Sequence, residues 1–548
     1  MGDQAPGSND GLTGATASFD AVIVGAGFSG LYMLHKLRGL GFSARVFEAG
    51  NGVGGTWHWN RYPGARVDIE SQEYSYSFSD ELADEWQWTE RYASQPELLR
   101  YLNHVADRFD LRGDIQLETR VTAAAFDESS KRWTVTTDRG DRVTAKFCIM
   151  ATGCLSVPKE PDFPGVDTFK GKSYHTGRWP QEGVDFTGQK VAVIGTGSSA
   201  IQSIPQIAKQ AARVSVFQRT PNFSVPAHNG PVDPAIVQDW KDHRREYHQK
   251  VLESGFGILM VDQSEQSALE ASPKERQAVY EDRWARGGFS LIGAYADIIA
   301  DKAANDTAAG FVRDKIRAIV EDPAVAEKLA PTSYPIATKR LCVDTGYYAT
   351  FNRENVSLVD LREEPIEEIT PAGVRTSKAE YPADSIVYAI GFDAMTGALS
   401  NIDIRGRRGA SLKEQWSQGP RTYLGLMVAG FPNLFLVTGP GSPSVLANMA
   451  VAIEQHVDWI AGCIAYLSDR QVGTIEAKSD AQEAWVAHVN EVAEGTLFPL
   501  ANSWYLGANI PGKPRVFMPY IGGFAVYRQT CEDVAAKNYD GFVLTSAA

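Results

Sequence analysis

Two segments of the chain show the same order of apolar and polar positions. Residues 19–24 form a short apolar run, residues 31–40 carry apolar side chains at helical spacing, and residues 45–48 resemble a second strand. A continuous apolar run is typical of a parallel strand buried on both faces, so this order predicts a strand–helix–strand unit. The same order recurs with strands predicted at residues 190–194 and 213–219 and a helical stretch between them.

A different pattern fills residues 220–337, where strand-like runs disappear and helical spacing takes over. Ser272-Pro273-Lys274-Glu275 predicts a helix start, with serine as the N-cap, proline in the first turn and glutamate closing a capping box. Apolar residues then recur at helical spacing at Phe311, Val312, Ile316, Ile319 and Val320. We expect this stretch to be a helical insertion, and the strand pattern to return only after Pro382, at residues 385–390 and 434–437.

A glycine-rich turn separates strand from helix in each of the two units. The first is Gly25-Ala26-Gly27-Phe28-Ser29-Gly30 and the second is Gly195-Thr196-Gly197-Ser198-Ser199-Ala200. The first glycine permits the tight bend, the second lets a pyrophosphate touch the backbone, and the third small residue lets helix and strand pack closely. Two such turns predict an α/β fold with two Rossmann-like dinucleotide-binding domains and a helical insertion.

The residues that end the two units differ in charge. Glu48 lies 23 residues after Gly25, where a carboxylate accepts hydrogen bonds from ribose hydroxyls. Arg219 lies 24 residues after Gly195, with Thr220 beside it, and a cation there would meet a 2′-phosphate. The first unit should therefore bind FAD or NAD, and the second NADP(H). Two nucleotides in one chain suggest a flavin that relays electrons from NADPH.

Composition narrows the remaining classes of function. The formal net charge is −14 and no basic run is present, which argues against a nucleic-acid partner. No run of about 18 apolar residues occurs, so we expect no membrane span. Residues 1–18 lack the features of a signal peptide and are predicted to be a disordered tail. The 5 cysteines include no CxxC pair, which fits a reducing cytoplasm and argues against a zinc site or a dithiol reductase.

Longer motifs carry a family resemblance. The stretch from Phe169 through Gly171, His175 and Trp179 to Pro180 fits the pattern FxGxxxHxxxWP, and Gly54-Gly55-Thr56-Trp57 begins a second signature that continues to Asp68. With these motifs the chain resembles the type I Baeyer–Villiger monooxygenases from about residue 19 to its end. The phenylacetone and steroid monooxygenase branch is the most similar, and cyclohexanone monooxygenase is more distant.

The resemblance implies a division into domains. Residues 19–154 and 393–548 are expected to form the FAD-binding domain. Residues 155–219 and 338–392 are expected to form the NADP-binding domain, and residues 220–337 the helical insertion.

It also implies the reaction. NADPH would reduce FAD, dioxygen would add to give a 4a-peroxyflavin, and one oxygen atom would be inserted next to a ketone carbonyl to give an ester or lactone. The resemblance places Arg340 beside the reacting oxygens as a permanent cation, with Asp68 holding its guanidinium. These two are the catalytic candidates.

The same resemblance implies the cofactor and substrate contacts. For FAD they are Gly25, Gly27, Ser29, Gly30, Glu48, Gly55, Thr56, Trp57, Asp68, Tyr74, Val121 and Met449. For NADPH they are Gly195, Thr196, Gly197, Ser198, Ser199, Arg219, Thr220, Lys339, Arg340 and Trp504, with Arg66 as a further cofactor-binding candidate. The ketone pocket is expected at Ser442, Pro443, Ser444, Val445 and Leu446. A hinge or hydrogen-bonding role is expected for the fingerprint residues Phe169, Gly171, His175 and Trp179.

Three other activities remain open from the sequence. They are a flavin monooxygenase acting on nitrogen or sulfur, an NADPH oxidase that releases hydrogen peroxide, and a non-catalytic NADP-sensing protein. Aryl, cyclic, long-chain and steroidal ketones all remain candidate substrates, and the protein is expected to be a monomer.

Overall fold

The computed structural model describes residues 17–546. Its strands are, in chain order, β1 (Ala17–Val24), β2 (Ala44–Phe47), β3 (Ile115–Gln116), β4 (Val121–Asp127), β5 (Arg132–Thr137), β6 (Arg142–Met150), β7 (Lys172–His175), β8 (Lys190–Ile194), β9 (Arg213–Gln218), β10 (Ser224–Pro226), β11 (Cys342–Asp344), β12 (Val356–Asp360), β13 (Ile366–Thr370), β14 (Gly373–Thr376), β15 (Glu380–Pro382), β16 (Ser385–Tyr388), β17 (Asp403–Arg405), β18 (Leu434–Leu436), β19 (Val472–Ala477) and β20 (Phe542–Ser546).

The α-helices are, in the same order, α1 (Phe28–Gly39), α2 (Thr56–Trp59), α3 (Asp80–Glu85), α4 (Gln95–Arg108), α5 (Ser198–Gln210), α6 (Pro234–Glu253), α7 (Pro273–Arg286), α8 (Lys302–Ile319), α9 (Pro323–Leu329), α10 (Tyr347–Thr350), α11 (Gly397–Ser400), α12 (Leu412–Gln415), α13 (Met449–Asp469), α14 (Ser479–Glu494) and α15 (Phe524–Ala536). Single 3₁₀ turns, such as Thr176–Arg178 and Trp504–Leu506, connect some of them.

The first lobe is built on an eight-stranded sheet with β1 near its middle. β1 pairs in parallel with β2 on one side and with β6 on the other. β18 also runs parallel to β6, while β4 and β5 add antiparallel pairing. The predicted strand–helix–strand unit is therefore present as β1, α1 and β2.

The second lobe is built on a five-stranded sheet with the strand order β12–β9–β8–β16–β7. Every pairing in it is parallel. β8, α5 and β9 form the second predicted unit. The predicted fold class, two Rossmann-like units in one α/β chain, is confirmed.

Both central strands are buried on both faces. Ala21 and Ile23 of β1 face one apolar core, while Val22 and Val24 face another. In β8 the same alternation divides Val191 and Val193 from Ala192 and Ile194, which pack into separate cores. Side chains alternate between the faces of a strand, so a continuous apolar run is what two covered faces require.

The region predicted as a helical insertion contains helices α6 to α9. The capping box is confirmed, because Ser272 Oγ accepts from the Glu275 N–H and Glu275 accepts from the Ser272 N–H. One detail differs, since β10 lies inside the predicted insertion and pairs with β11 beyond its end. These short strands close the two ends of the insertion against each other.

The expected return of strands only after Pro382 was wrong. β11 to β14 precede it and β15 ends on it, and β13, β14 and β15 form a small antiparallel sheet. In β13 the sequence Ile366-Glu367-Glu368-Ile369 places two glutamates between two isoleucines, so no continuous apolar run signals the strand.

The ends of the predicted strands also shift. β1 starts at Ala17, so residues 17 and 18 belong to the sheet and not to the predicted tail, whereas residues 1–16 lie outside the described residues. β2 ends at Phe47, one residue before Glu48. The boundaries of the two cofactor domains stay a prediction.

Two chain segments cross between the lobes side by side. Residues 154–159 lead from the first lobe towards the second, and residues 391–395 lead back. Their backbones form a short antiparallel ribbon: Met395 N–H donates to the Cys154 carbonyl at 2.8 Å, Asp393 N–H to the Val157 carbonyl at 2.8 Å, and Lys159 N–H to the Gly391 carbonyl at 2.9 Å.

Helix α1 lies close against the turn that precedes it. A Cβ atom added at Gly30 would lie 1.8 Å from the carbonyl oxygen of Gly25, which is far inside van der Waals contact. The third position of the first glycine motif is thus limited by space, as expected for close helix–strand packing.

We predict that Gly30→Ala destabilises the protein by at least about 2 kcal/mol, because the added methyl group forces backbone apart. Gly39→Ala is the matched control, since Gly39 lies on the same helix and has no atom within 4 Å of the added carbon. Thermal unfolding followed by circular dichroism should give a lower midpoint for Gly30→Ala alone. Equal midpoints for the two variants would contradict the packing argument.

Candidate active site

Two glycine-rich loops of the first lobe touch through their backbones. Gly54 N–H donates to the Ala26 carbonyl at 2.9 Å. A Cβ at Gly55 would lie 2.9 Å from the Cα of Gly27, and Gly55 itself has a φ of 52°, in the left-handed region. The surface at this point is peptide backbone with no side chain above it, which is what close approach of a pyrophosphate needs.

Glu48 lies beside this surface with both carboxylate oxygens engaged. Oε2 accepts from the Ala26 N–H at 2.8 Å, and Oε1 accepts from the Gly50 N–H at 2.7 Å. Burial raises the pKa of the Glu48 carboxyl above its ordinary value, although the two N–H groups oppose the shift. A carboxylate oxygen can accept more than one hydrogen bond, so the group retains acceptor capacity for ribose hydroxyls.

Aromatic rings wall the next part of the first lobe. The rings of Trp57 and Tyr74 meet edge to face with centroids 5.9 Å apart, and Phe28 at the start of α1 meets Tyr74 at 5.3 Å. Thr56 begins α2, Met449 begins α13, Val121 begins β4, and Ser29 lies buried in the first turn of α1. The predicted FAD contacts thus come from strand ends, helix starts and the loop between α2 and α3.

The second glycine turn is tied to its neighbours through side chains. Thr196 Oγ1 donates to the Thr220 carbonyl at 2.9 Å, and Ser199 Oγ donates to Thr176 Oγ1 at 3.2 Å. A Cβ at Gly195 would lie 2.3 Å from the Ala389 carbonyl oxygen, so this turn also needs its glycine. Ser198 begins α5, with Gly197 as its N-cap.

Three cations gather beyond this turn. Arg219 follows β9, and its charge acts on both Lys339 and Lys159. Burial and then the Arg219 charge lower the pKa of Lys339 to about 8. Within residues 17–546 none of the three has a carboxylate oxygen within 4.0 Å of its charged nitrogens. An unpaired group of like charges on an acidic chain is suited to an anion such as a 2′-phosphate.

Arg340 and Asp68 form a two-point ion pair. The guanidinium Nε and Nη2 donate to the two Asp68 oxygens at 2.9 and 2.8 Å. Burial alone would lower the pKa of Arg340, but the charge and hydrogen bonds of Asp68 raise it, so the guanidinium stays a cation. The sequence separates these residues by 272 positions, and the fold brings them together.

Two further contacts fix the same guanidinium. Nη1 donates to the Val445 carbonyl at 2.8 Å, and the Phe289 ring lies 4.6 Å from the guanidinium carbon. Arginine has five N–H donors, of which these contacts use three, and the hydroxyl of Tyr505 also faces the guanidinium. Val445 belongs to the predicted ketone loop, which therefore lies directly against the predicted catalytic cation.

The remaining part of that loop is also fixed. Ser442 Oγ donates to the Gly439 carbonyl at 2.7 Å, and the Ser442 carbonyl accepts from the Tyr520 N–H at 2.7 Å. Val445, together with Leu446, joins an apolar cluster that includes Cys154, Met395, Tyr505 and Phe517 with Trp504 at its border. The predicted ketone loop and Trp504, a predicted NADPH contact, thus belong to one apolar region.

His175 uses both ring nitrogens within the protein. Nδ1 accepts from the Gly177 N–H at 2.9 Å, so Nε2 carries the proton and donates to the Lys159 carbonyl at 3.0 Å. Burial lowers the pKa of the ring, which is therefore neutral at pH 7. A hydrogen-bonding role fits this geometry, and a general-base role does not. Trp179 is buried against Tyr174 and Phe186.

The other two fingerprint positions lie where the crossover meets the second sheet. Phe169 packs against the apolar core that contains Ala192 and Ile194 of β8. A Cβ at Gly171 would lie 2.3 Å from the Asp384 carbonyl oxygen, just before β16.

Arg66 differs from the other cofactor-binding candidates in the bonds that it makes within the protein. Its Nη1 donates to Glu90 Oε2 at 2.7 Å and to the Tyr92 carbonyl at 3.0 Å, so part of its donor set is committed to the protein.

The sequence reasoning missed Lys159, Phe289 and Gln202. Gln202 of α5 bonds Tyr62 and the Arg66 backbone and so links the lobes. None lies in a recognised motif, and only the fold shows their neighbours.

The residues present fit the two nucleotides. The first lobe offers a side-chain-free backbone cradle with a carboxylate at its edge, and the second offers a glycine turn with unpaired cations beyond it. A carboxylate would repel a 2′-phosphate, so the unphosphorylated dinucleotide suits the first lobe and NADPH suits the second.

Comparison with known proteins gives the same result. Residues 22–284 match the family described as Pyridine nucleotide-disulphide oxidoreductase. A protein named Baeyer-Villiger monooxygenase from Pseudooceanicola batsensis is 43% identical over 533 residues, covering 96% of each chain. A phenazine N-monooxygenase from Lysobacter antibioticus is also 43% identical, covering 96% of this chain and 97% of that protein. The solved structure of an oxidized steroid monooxygenase bound to NADP is 54% identical, with a TM-score of 0.93, and the match covers 97% of this chain and 100% of that chain.

The chain belongs to the Baeyer–Villiger monooxygenases, which are NADPH-dependent oxidoreductases containing FAD. The expectation drawn from the sequence motifs is confirmed. All 5 cysteines are unpaired and buried, so the disulfide named by the broader family has no counterpart here. Across residues 17–546 no helix has the length and apolar character needed to cross a bilayer.

The titration of Lys339 predicts a pH-dependent affinity for NADPH. Its pKa of about 8 means that the cation is lost as the pH rises above that value, so 2′-phosphate binding should weaken there. We expect the KM for NADPH to rise about tenfold between about pH 7 and pH 9.5, the size of one charge-assisted hydrogen bond. The KM for NADH should change little, because NADH has no 2′-phosphate. Lys339→Arg should remove the pH effect, and its persistence in that variant would contradict the assignment.

The position of Arg219 predicts a change in coenzyme preference. Arg219→Ala should raise the KM for NADPH roughly tenfold or more and leave that for NADH nearly unchanged, because only NADPH offers the phosphate. Arg317→Ala serves as the control, since that exposed arginine on α8 pairs with Glu327 at 2.6 Å and faces no candidate site. Equal effects of Arg219→Ala on both coenzymes would contradict the role.

Proposed function

We propose that this enzyme uses NADPH and dioxygen to convert an apolar ketone into an ester or lactone, with Arg340 as the cation beside the reacting oxygens. The observation that carries the proposal is the fixed guanidinium. Asp68, Val445 and Phe289 hold it from three sides, next to the candidate ketone loop. The overall balance is one ketone, one O₂, NADPH and a proton giving the ester, NADP⁺ and water.

The residues proposed to hold FAD are those around the backbone cradle. Gly25, Gly27 and Gly55 would meet the pyrophosphate, Glu48 the ribose, and the Trp57 and Tyr74 rings the flavin side. Bound FAD, once reduced by NADPH, supplies the oxygen-activating chemistry. Gly195 and Gly197 would meet the second pyrophosphate, and Arg219 and Lys339 the 2′-phosphate.

Arg340 would stabilise negative charge as it develops on oxygen. A guanidinium cannot release its proton at neutral pH, so it donates hydrogen bonds without entering the proton balance. Its fixed position means that little reorganisation is needed when the charge appears. Asp68 would act as a positioning residue, because its two oxygens accept from the guanidinium and so fix where Arg340 lies.

The walls near Arg340 favour an apolar substrate. The cluster that meets the ketone loop consists of aliphatic, aromatic and sulfur-containing side chains, among them Met395, Val445 and Phe517. Such walls desolvate a carbonyl and strengthen its hydrogen bonds to a cation. Loop residues Ser442, Pro443, Ser444, Val445 and Leu446 would set which ketone fits.

Oxidation at nitrogen is the second candidate activity. The observation in its favour is the phenazine N-monooxygenase from Lysobacter antibioticus, which is as similar in sequence as the Baeyer-Villiger monooxygenase from Pseudooceanicola batsensis. Incubation with an aromatic N-heterocycle beside the ketones, with product identification by mass spectrometry, separates the two activities.

The setting proposed for the enzyme is a cytoplasmic monomer without a nucleic-acid partner. Five buried free thiols support a reducing compartment, and the net charge of −14 opposes binding to nucleic acid. Size-exclusion chromatography with light scattering tests the oligomeric state.

The test of the proposed function is ketone-dependent NADPH consumption over a panel of aryl, cyclic, long-chain and steroidal ketones. Products and hydrogen peroxide are measured together. Wild type should form an ester or lactone from at least one apolar ketone. Peroxide as the product with every ketone would overturn the proposal in favour of an oxidase.

Arg340→Ala should retain FAD and its reduction by NADPH but lose ester formation by about 100-fold or more, the usual effect of removing a donor that stabilises an oxyanion. Arg317→Ala should behave as wild type. Normal ester formation by Arg340→Ala would refute the role of the guanidinium.

A further inference from the structure

Lys159 lies on the crossover from the first lobe to the second and is not among the cofactor contacts expected from the sequence. Its backbone is fixed on both sides. The N–H donates to the Gly391 carbonyl at 2.9 Å, and the carbonyl accepts from Nε2 of His175 at 3.0 Å. Prolines at positions 158 and 161 flank it. A lysine held in this way extends from a rigid point, so its side chain samples a restricted volume.

The sheet places this point near Arg219. Gly391 follows β16, His175 ends β7, and Arg219 follows β9, so all three lie at the carboxyl edge of one parallel sheet. β16 and β9 are both neighbours of β8, which puts them about 10 Å apart at the usual strand spacing. Lys159 and Arg219 can therefore direct their charged ends into the space between them, beyond the second glycine turn.

Electrostatics agree with this placement. Burial first and the charge of Arg219 second lower the pKa of Lys159, as they do for Lys339, while Asp162 opposes the shift. Among the described residues no carboxylate oxygen lies within 4.0 Å of the Lys159 ammonium. Three half-buried or exposed cations near one another repel, and an anion between them removes the repulsion.

We propose that Lys159 is a third cation for the 2′-phosphate of NADPH and raises the preference of this enzyme for NADPH over NADH. The proposal rests on the proposed roles of Arg219 and Lys339. It assigns a coenzyme-selecting function to a residue of the crossover. The fingerprint histidine, by donating to the Lys159 carbonyl, would fix the backbone position from which this side chain extends.

The experiment measures coenzyme binding without ketone. Dissociation constants of NADP⁺ and NAD⁺ for the FAD-loaded oxidised enzyme are determined by calorimetry for wild type, Lys159→Gln, Lys159→Met and Lys159→Arg. Lys172→Gln is the matched control, because Lys172 is exposed on β7 of the same lobe. FAD content and thermal midpoint of each variant are measured beside the binding.

Both neutral variants should bind NADP⁺ roughly tenfold more weakly and NAD⁺ as wild type does, as expected for one lost charge-assisted contact. Lys159→Arg should restore most of the affinity for NADP⁺, and Lys172→Gln should change neither constant. Unchanged NADP⁺ binding, or equal weakening of both coenzymes, overturns the role of Lys159.

This result is separate from the test of the proposed function. Loss of ketone oxidation in wild type would refute the oxygenation chemistry and leave the binding constants interpretable. Preserved NADP⁺ binding in Lys159→Gln, together with weakened NADP⁺ binding in Arg219→Ala, would refute only the role of Lys159.

Discussion

The guanidinium of Arg340 is the point at which separately built parts of the chain meet. Asp68 comes from the first lobe, the Val445 carbonyl from the loop after β18, and the Phe289 ring from the helical insertion. A part-buried ion pair contributes little net stability, because desolvation of the two charges offsets most of their attraction. Its value here is positional: the cation is correctly placed only when all these parts are correctly assembled.

The group of cations near the second glycine turn contrasts with the acidic balance of the chain. The chain is acidic overall, yet Arg219, Lys339 and Lys159 collect at one strand edge without a carboxylate partner in the described residues. Burial and then the charge of Arg219 lower the pKa of Lys339, so this lysine holds its charge less readily while no anion is bound. Binding of a phosphate favours the charged form of the lysine. The fold therefore favours the coenzyme with a 2′-phosphate before any ligand is bound.

Sequence patterns predicted the parts of the molecule whose physics is local. The turns at Gly25 and Gly195, the buried strands β1 and β8 and the capping box at Ser272 each depend on neighbouring residues, and the structure has all of them. The pairing of Arg340 with Asp68 came from the family resemblance, because no local rule joins residues 272 positions apart. Phe289 and Lys159 were missed for the same reason: their neighbours come from other elements. The sheet β13–β15 was missed because its exposed face carries charges where an apolar run was sought.

The ribbon formed by the two crossover segments has a mechanical consequence. Its three backbone hydrogen bonds join residues 154–159 to residues 391–395, so the lobes are connected by a hydrogen-bonded ribbon and not by two independent segments. Such a ribbon can bend out of its plane and twist about its long axis. It resists stretching and the sliding of one segment along the other. Relative motion of the lobes should therefore bend or twist this ribbon. Because Lys159 and Gly391 are a hydrogen-bonded pair of this ribbon, such a motion would also shift the border of the candidate coenzyme site.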